Sequence, residues 1–287
     1  MRMSLRYSIN LSMLYTEHSF LERFGKAAEA GFSAVEFHFP YDFDIPDIKS
    51  RLDGLGLLPV VMNLHPGDTG AGEWGTLSNP KRRAYLHWSF TQGLEVATFL
   101  GCARINMMLG CTVPGVALDV QVGCAAENLA WAAPLAQQAG ITLLIEPLNA
   151  VDFPRCILHR PAEALGLVKQ VGHPQVKVQY DVYHAQMSEG NLIGTLMNHS
   201  ADIGHIQVAD VPGRHQPGTG EINYPAVLEA LRKLDYSGYV GLEYIPSSDT
   251  ASSLTWLARE ERCQTSSGMP GEQGLTFKIG NCSSNSP

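Results

Sequence analysis

Glu146, Asp181, Gln207 and Glu243 each close a short apolar run, and they stand 35, 26 and 36 positions apart. Each interval is the length of one helix plus one strand. The pattern therefore sets them at equivalent places on four successive strands, the fifth to the eighth. A buried carboxylate without a partner costs several kcal/mol, so acids that recur at the ends of apolar strands need a reason to be there. Three carboxylates and one amide oxygen make a hard donor set that suits Mg2+ or Mn2+, whereas a zinc site more often uses His or Cys. Any one of the four is explained equally well by a hydrogen bond to a neighbouring loop. All four together are better explained by a shared cation.

Other chemistry-bearing residues fall around them. His184 lies three positions after Asp181, in the turn that leaves the sixth strand, where it could touch a ligand. His205 precedes Gln207 by two and so points the same way one layer deeper, which fits a supporting role in the core. His65 ends the third strand, and Glu73 and Trp74 follow in a long glycine-rich loop. Arg214 sits in the loop after the seventh strand. An acidic protein that handles an anion needs a guanidinium near the site, and Arg214 is placed to be that group.

The elements that must carry these residues are legible. Apolar runs at Leu5–Asn10, Ala34–Phe37, Leu58–Asn63, Arg104–Met108, Thr142–Glu146, Val176–Asp181, His205–Val208 and Tyr239–Glu243 are too continuous for half-exposed strands. They read as strands buried on both faces, the mark of a parallel sheet. Helical patterns separate them, including Ser19–Ala30, Lys81–Leu100 behind the Asn79-Pro80 cap, Glu127–Ala139, Pro161–Val171, Leu192–His199 and Tyr224–Leu234. Eight alternations predict an α/β fold, a single (β/α)8 TIM barrel over residues 1–262. No G-x-G-x-x-G follows Asn10, which counts against an open dinucleotide-binding sheet. In such a barrel Asn10, Glu36, Asn63 and Asn106 end the first four strands and converge on the same mouth as the four donors. Pro66–Pro80 and Ala209–Asn223 are long loops, and the first reads as a lid over that mouth.

Composition limits the partners. The chain has 287 residues and a formal net charge of -8, with 45% hydrophobic and 17% charged residues. That is enough for one barrel of roughly 250 residues, and the charge argues against a nucleic-acid partner. No apolar run approaches the roughly 20 residues of a membrane helix, and the start of the chain lacks the apolar core of a signal peptide. The six cysteines form no C-x-x-C pair and read as reduced thiols, so a cytoplasmic location is expected. A homo-oligomer is compatible with all of this. Residues 263–287 are rich in Ser and Gly with almost no apolar period, and are expected to be a disordered tail.

The stretches NLSMLYTE, FGKAAEAGFSAVEFHFPYDFD, GDTGAGEWG, LLIEPLN, VQYDVYHAQMSEGNL, GHIQVADVPGRHQPGTGEINYP and GYVGLEY resemble hydroxypyruvate isomerases and the closely similar 2-oxotetronate isomerases. The resemblance covers about residues 5–257. It implies a xylose-isomerase-like barrel that binds a divalent metal through Glu146, Asp181, Gln207 and Glu243. It further implies that His184 and Arg214 contact a small anionic sugar-acid substrate, with His65 and Glu73 as additional candidates, and that Glu146 and Glu243 are the acid–base pair. The expected reaction interconverts hydroxypyruvate and tartronate semialdehyde through an enediolate; a 2-oxotetronate or another small ketose is the alternative substrate. Two rivals remain at this level. Apurinic endonucleases share the barrel type but use several zinc ions, more histidines and a basic groove. A non-catalytic sugar-acid-binding barrel would tolerate the same pocket without needing both glutamates.

The tail yields the first test. A chain ending at Arg262 should fold and turn over much as the full chain does, because residues 263–287 carry too little apolar surface to offset their ordering entropy. A large drop in melting temperature on truncation would overturn that expectation.

Overall fold

The computed structural model describes residues 4–262; the expected tail at 263–287 lies outside them. Eight parallel strands close on themselves in sequence order. They are β1 (Arg6–Asn10), β2 (Ala34–Phe37), β3 (Leu58–Asn63), β4 (Arg104–Asn106), β5 (Thr142–Ile145), β6 (Val176–Asp181), β7 (Ile203–Val208) and β8 (Tyr239–Leu242). The last pairing, β1 with β8, aligns Arg6 with Tyr239 and Ile9 with Leu242 and removes both sheet edges. The expected TIM barrel is thus the observed fold.

Local sequence explains the helices. In α1 (Phe20–Glu29) the Glu22 carboxylate reaches back to accept from the Ser19 N–H at 3.0 Å. In α2 (Ile45–Leu55) Asp44 accepts from Asp47 N, Pro46 occupies the first turn, and Gly56 ends the helix at φ 64°. Asn79-Pro80 opens a single 3-10 turn that runs into α3 (Arg83–Leu100). The sequence reading passes over α2, because only Ile48 and Leu52 of it are buried and one i, i+4 pair gives little period to detect. It also starts α4 (Leu118–Gln138) nine residues late, at Glu127. The first turns of α4 bury a polar residue, Gln121, whose amide holds Cys111 O and Val113 N, so no apolar stripe marks them. The remaining long helices are α5 (Pro161–Val171), α6 (Val182–Ser188), α7 (Leu192–His199) and α8 (Tyr224–Lys233). After β8 the chain makes short helical pieces, α9 (Thr250–Ser253) and α10 (Arg259–Arg262).

Side chains alternate along each strand, so one set packs outward on the helices and the other fills the barrel. Ala34, Val60, Leu144 and Tyr239 form a separate apolar cluster with Val61. Toward the mouth from Ala34, Leu144 and Tyr239 the filling turns polar, and Glu36 is its centre. Its carboxylate accepts from Ser8 Oγ at 3.0 Å, Asn10 Nδ2 at 3.3 Å and Gln207 Nε2 at 2.7 Å, and lies 2.8 Å from His205 Nε2. His205 is fully buried and sits two positions before Gln207 on the same face, as a supporting residue of the core would. Space for this carboxylate is made by Gly241 of β8, where a Cβ would collide with both oxygens of Glu36.

Gly241→Ala should therefore destabilise the barrel by about 1–3 kcal/mol, the usual cost of overpacking a filled core. Gly54→Ala, in α2 where an added Cβ meets nothing within 4 Å, should instead gain about 0.5–1 kcal/mol from helix propensity. Urea unfolding of the two variants checks both signs; equal midpoints would refute the packing argument.

Candidate active site

Each strand end delivers its polar residue to one mouth. Asp181 ends β6 and Gln207 lies on β7, while Glu146 and Glu243 stand one position beyond β5 and β8. Asp181, Gln207 and Glu243 are buried, and Glu146 is half-buried on a cavity wall. Hydrogen bonds tie them into one network. Glu146 Oε2 accepts from Asn106 Nδ2 at 2.8 Å and from Gln179 Nε2 at 2.9 Å. The same Gln179 amide donates to Gln207 Oε1 at 2.7 Å, and Gln207 in turn donates to Glu36. Glu243 Oε1 accepts from Asn10 Nδ2 at 3.1 Å and lies 2.7 Å from His38 Nε2.

Arg214 joins the two halves of the site. Its Nη2 donates to Asp181 Oδ2 at 3.1 Å and to Glu243 Oε2 at 2.9 Å. The loop that presents it is built around Asp210, a fully buried carboxylate that accepts from the N–H groups of Val211, Gly218, Gly220 and Ile222. Arg214 itself adopts the left-handed conformation at φ 56°, which costs an arginine on the order of 1–3 kcal/mol and persists only where the surroundings impose it. Ile245 N donates to Arg214 O at 2.7 Å and fixes that turn to the end of β8.

The ionisation of the site follows from this geometry. Burial, with help from the charges of Glu243 and Asp181, pushes Glu146 well above the usual carboxylate range. Asp181 is pushed up to about 7 by burial, against the pull of Arg214. Burial also opposes the ionisation of Glu243, but Arg214 and His38 outweigh it and hold the group down at about 2. Burial lowers His184 to about 3, so its imidazole is neutral across the working range. Three acids face a single guanidinium, and burial raises two of them, Glu146 and Asp181, with their neighbours' charges adding to it.

Glu146, Asp181 and His184 bring one potential ligand atom each within 4.8 Å of one another. The tautomer of His184 qualifies its part. Its Nδ1 accepts the backbone N–H of Asn149 at 3.2 Å and lies 2.8 Å from the Asn149 side-chain amide. A neutral imidazole that accepts at Nδ1 carries its proton on Nε2. That Nε2 is buried without a hydrogen-bond partner, 3.6 Å from Asp181 Oδ2. His184 is thus set to donate to an incoming oxygen. The donors that suit a hard cation are the carboxylates and the Gln207 amide oxygen, and Gln207 must exchange its bond from Gln179 to take part.

The residues expected around the substrate divide. Glu73 lines a cavity of 340 Å³ together with Asn106, Glu146, Asp152, Phe153 and Trp74. It is also tied down, by Arg82 Nε at 2.9 Å and by Asp68 N at 2.7 Å. His65 is not among the lining residues; its Nδ1 takes the Gly67 N–H at 3.2 Å and lies 2.8 Å from Tyr85 Oη. The Pro66–Pro80 loop walls this cavity and is anchored at Gly75 (φ 108°), where any side chain would strike the Met108 carbonyl. The sequence reading missed His38, Asn149, Gln179 and Asp210 as members of the site. Gln179 could have been found two positions before Asp181, by the same spacing that marks His205 before Gln207.

Residues 24–260 match the family model described as xylose isomerase-like TIM barrel. The chain belongs to that family. It is 44% identical to the 2-oxo-tetronate isomerase of Cupriavidus necator, an alignment that covers 88% of this chain and 97% of the relative. It is 42% identical to the hydroxypyruvate isomerase of Escherichia coli, over 88% of this chain and 98% of that one. A solved structure titled AP endonuclease, family 2, from Brucella melitensis superposes with a TM-score of 0.86 at 40% identity, over 88% and 98% of the two chains. Placed beside these isomerases, the chain is an isomerase of the hydroxypyruvate and 2-oxo-tetronate branch. Among the described residues no helix is long and apolar enough to cross a membrane.

Metal binding to such a site must displace protons. Asp181 is protonated below about pH 7 and Glu146 is shifted in the same direction, so Mn2+ affinity should rise steeply as pH increases from 5.5 to 8. Titration calorimetry in two buffers of different ionisation heat should show proton release at the acid end. A pH-independent affinity with no proton release would rule out these carboxylates as ligands.

Proposed function

We propose that this protein is a metal-dependent isomerase that interconverts hydroxypyruvate and tartronate semialdehyde, with a 2-oxotetronate as the alternative substrate. The observation that carries the reading is the convergence of Glu146, Asp181 and Glu243 on one mouth, with Arg214 bridging Asp181 to Glu243 and Asn106 and Gln179 holding Glu146. Two positioned carboxyls at one mouth are what a proton transfer between adjacent carbons needs. Glu146, Asp181, Gln207 and Glu243 would hold Mg2+ or Mn2+, since three carboxyls and one amide oxygen make a hard donor set. The cation supplies Lewis-acid polarisation of the substrate carbonyl.

The chain's own residues do the rest. Glu243, ionised beside Arg214, removes the proton from the hydroxyl-bearing carbon. Glu146 returns a proton to the adjacent carbon while the hydroxyl proton passes to the former carbonyl oxygen, and the roles exchange in the reverse direction. His184 donates from Nε2 to a substrate oxygen. Arg214 holds the substrate carboxylate, Glu73 lines the cavity onto which Glu146 opens, and His65 braces the loop of Glu73 through the Gly67 N–H. We place the enzyme in the cytoplasm, on the strength of its thiols: the four described cysteines are all free.

The solved structure titled as an endonuclease raises a second reading, DNA cleavage, and this chain's own features favour the isomerase. Its cavity wall carries Glu73, Glu146 and Asp152 against one arginine, Arg155. Its net charge is -8. A duplex groove would need the opposite balance.

Glu146→Gln and Glu243→Gln, assayed at saturating Mn2+ with both keto acids, should each lose about 10²–10⁴-fold in turnover, the usual worth of a general acid or base. One of them should still exchange a substrate proton with deuterated water. Near wild-type turnover in either variant would reduce that glutamate to a ligand and end the two-carboxylate mechanism.

A further inference from the structure

Two cysteines face each other across the wall of the substrate cavity. Cys111 and Cys156 form an isolated antiparallel bridge between the segment that follows β4 and the segment that follows β5. Thr112 N donates to Arg155 O at 2.7 Å, and these two residues flank the cysteine pair. Cys111 and Cys156 are therefore a non-hydrogen-bonded pair, the narrow kind in which Cα atoms stand about 4.5 Å apart and side chains lie closest. That spacing falls inside the roughly 4.4–6.8 Å range over which a disulfide can close. Both residues line the same 340 Å³ cavity, so both side chains are on one side of the ribbon. Both are free thiols.

We propose that Cys111 and Cys156 are a redox modification site: a hydroperoxide converts them to a reversible disulfide that clamps the cavity wall. Cys111 is half-exposed and Cys156 is buried, so Cys111 meets the oxidant. Burial also pushes the Cys156 thiol up to about 11. The Cys111 thiolate attacks the terminal oxygen of hydrogen peroxide; an S–O bond forms, the O–O bond breaks, and hydroxide leaves to become water. Cys156 then attacks the sulfenic sulfur, an S–S bond forms, and a second water departs with the thiol proton. Two thiols have lost two electrons, and one peroxide has gained them. Cys156 gives up its 3.3 Å bond to Leu158 O in the process.

The clamp acts where it matters. The segment that carries Cys111 follows Asn106, which donates to Glu146. The segment that carries Cys156 begins at Glu146 and includes Asn149, which holds His184. A covalent tie between them fixes the two loops on either side of the acid–base residue. Cys111 is half-exposed on the cavity wall, so a dithiol can reach the bond and should release it.

The test uses the full-length enzyme treated with hydrogen peroxide, quenched with N-ethylmaleimide and digested without reduction. The expected result is a Cys111–Cys156 linked peptide in the mass spectrum, a loss of turnover of roughly tenfold or more from displaced loops, and recovery of both with dithiothreitol. Cys111→Ser and Cys156→Ser, each compared with its own untreated form, should lose no turnover to the same treatment. Dimedone trapping of a persistent Cys111 sulfenic acid, links between other cysteines, or a linked enzyme with unchanged turnover would each overturn the proposal. The peptide map does not depend on which keto acid is the substrate, so failure of the functional assignment would leave it readable.

Discussion

Buried carboxyl groups govern this molecule. Glu36, Glu146, Asp181 and Glu243 all face the inside or mouth of one closed barrel, where ionising one makes it harder to ionise the next. Each must be held by donors, and the donors come from different strands. Glu36 is satisfied by β1 and β7, Glu146 by β4 and β6, and Asp181 and Glu243 by one guanidinium from the loop after β7. The network draws on seven of the eight strands and closes only if they are in register, so the same bonds that keep the acids in place also help to specify the barrel. This is a costly design for stability alone, since apolar residues of similar volume often pack as well or better. Its retention makes sense as site construction.

The polar filling is layered by chemistry. Apolar Ala34, Val60, Leu144 and Tyr239 cluster together, away from the acids. In the next layer the Glu36 carboxylate is fully bonded by Ser8, Asn10, His205 and Gln207, and only His205 Nδ1 is left without a partner. The mouth is the unsaturated layer, with two carboxyls displaced upward and one imidazole N–H unpaired. Unsatisfied groups are expensive when buried, and the unpartnered His184 Nε2 lies beside Asp181, where a ligand oxygen could meet it. The bonded layer beneath supplies the positional accuracy that an acid–base pair requires.

Arg214 carries two duties that pull against each other. It pairs with Asp181 and Glu243, a task a cation would share, and in the proposed reaction it also holds the substrate carboxylate. Its left-handed backbone and the Asp210-centred loop behind it show that its place is imposed by surrounding structure. A flexible arginine would settle on the nearest acid and remain there; one held by its backbone can share its donors between acid and ligand.

Much of this was written in the sequence. Continuous apolar runs with helices between them determined a parallel barrel, because strands buried on both faces permit no alternation. The regular spacing of Glu146, Asp181, Gln207 and Glu243 determined that they share one end, since one α/β unit returns the chain to the same height. The spacing of His205 before Gln207 placed both inside. What tertiary structure alone decided is who pairs with whom. Nothing in the sequence orders His38 against Glu243, or Gln179 between Glu146 and Gln207, because these contacts join strands whose angular position and shear exist only after closure. The tautomer of His184 likewise depends on the Asn149 N–H, 35 residues away in the chain and 3.2 Å away in space. Strand ends are local and periodic, so a sequence can display them; the directions in which side chains lean across a closed mouth are set by packing from every side at once.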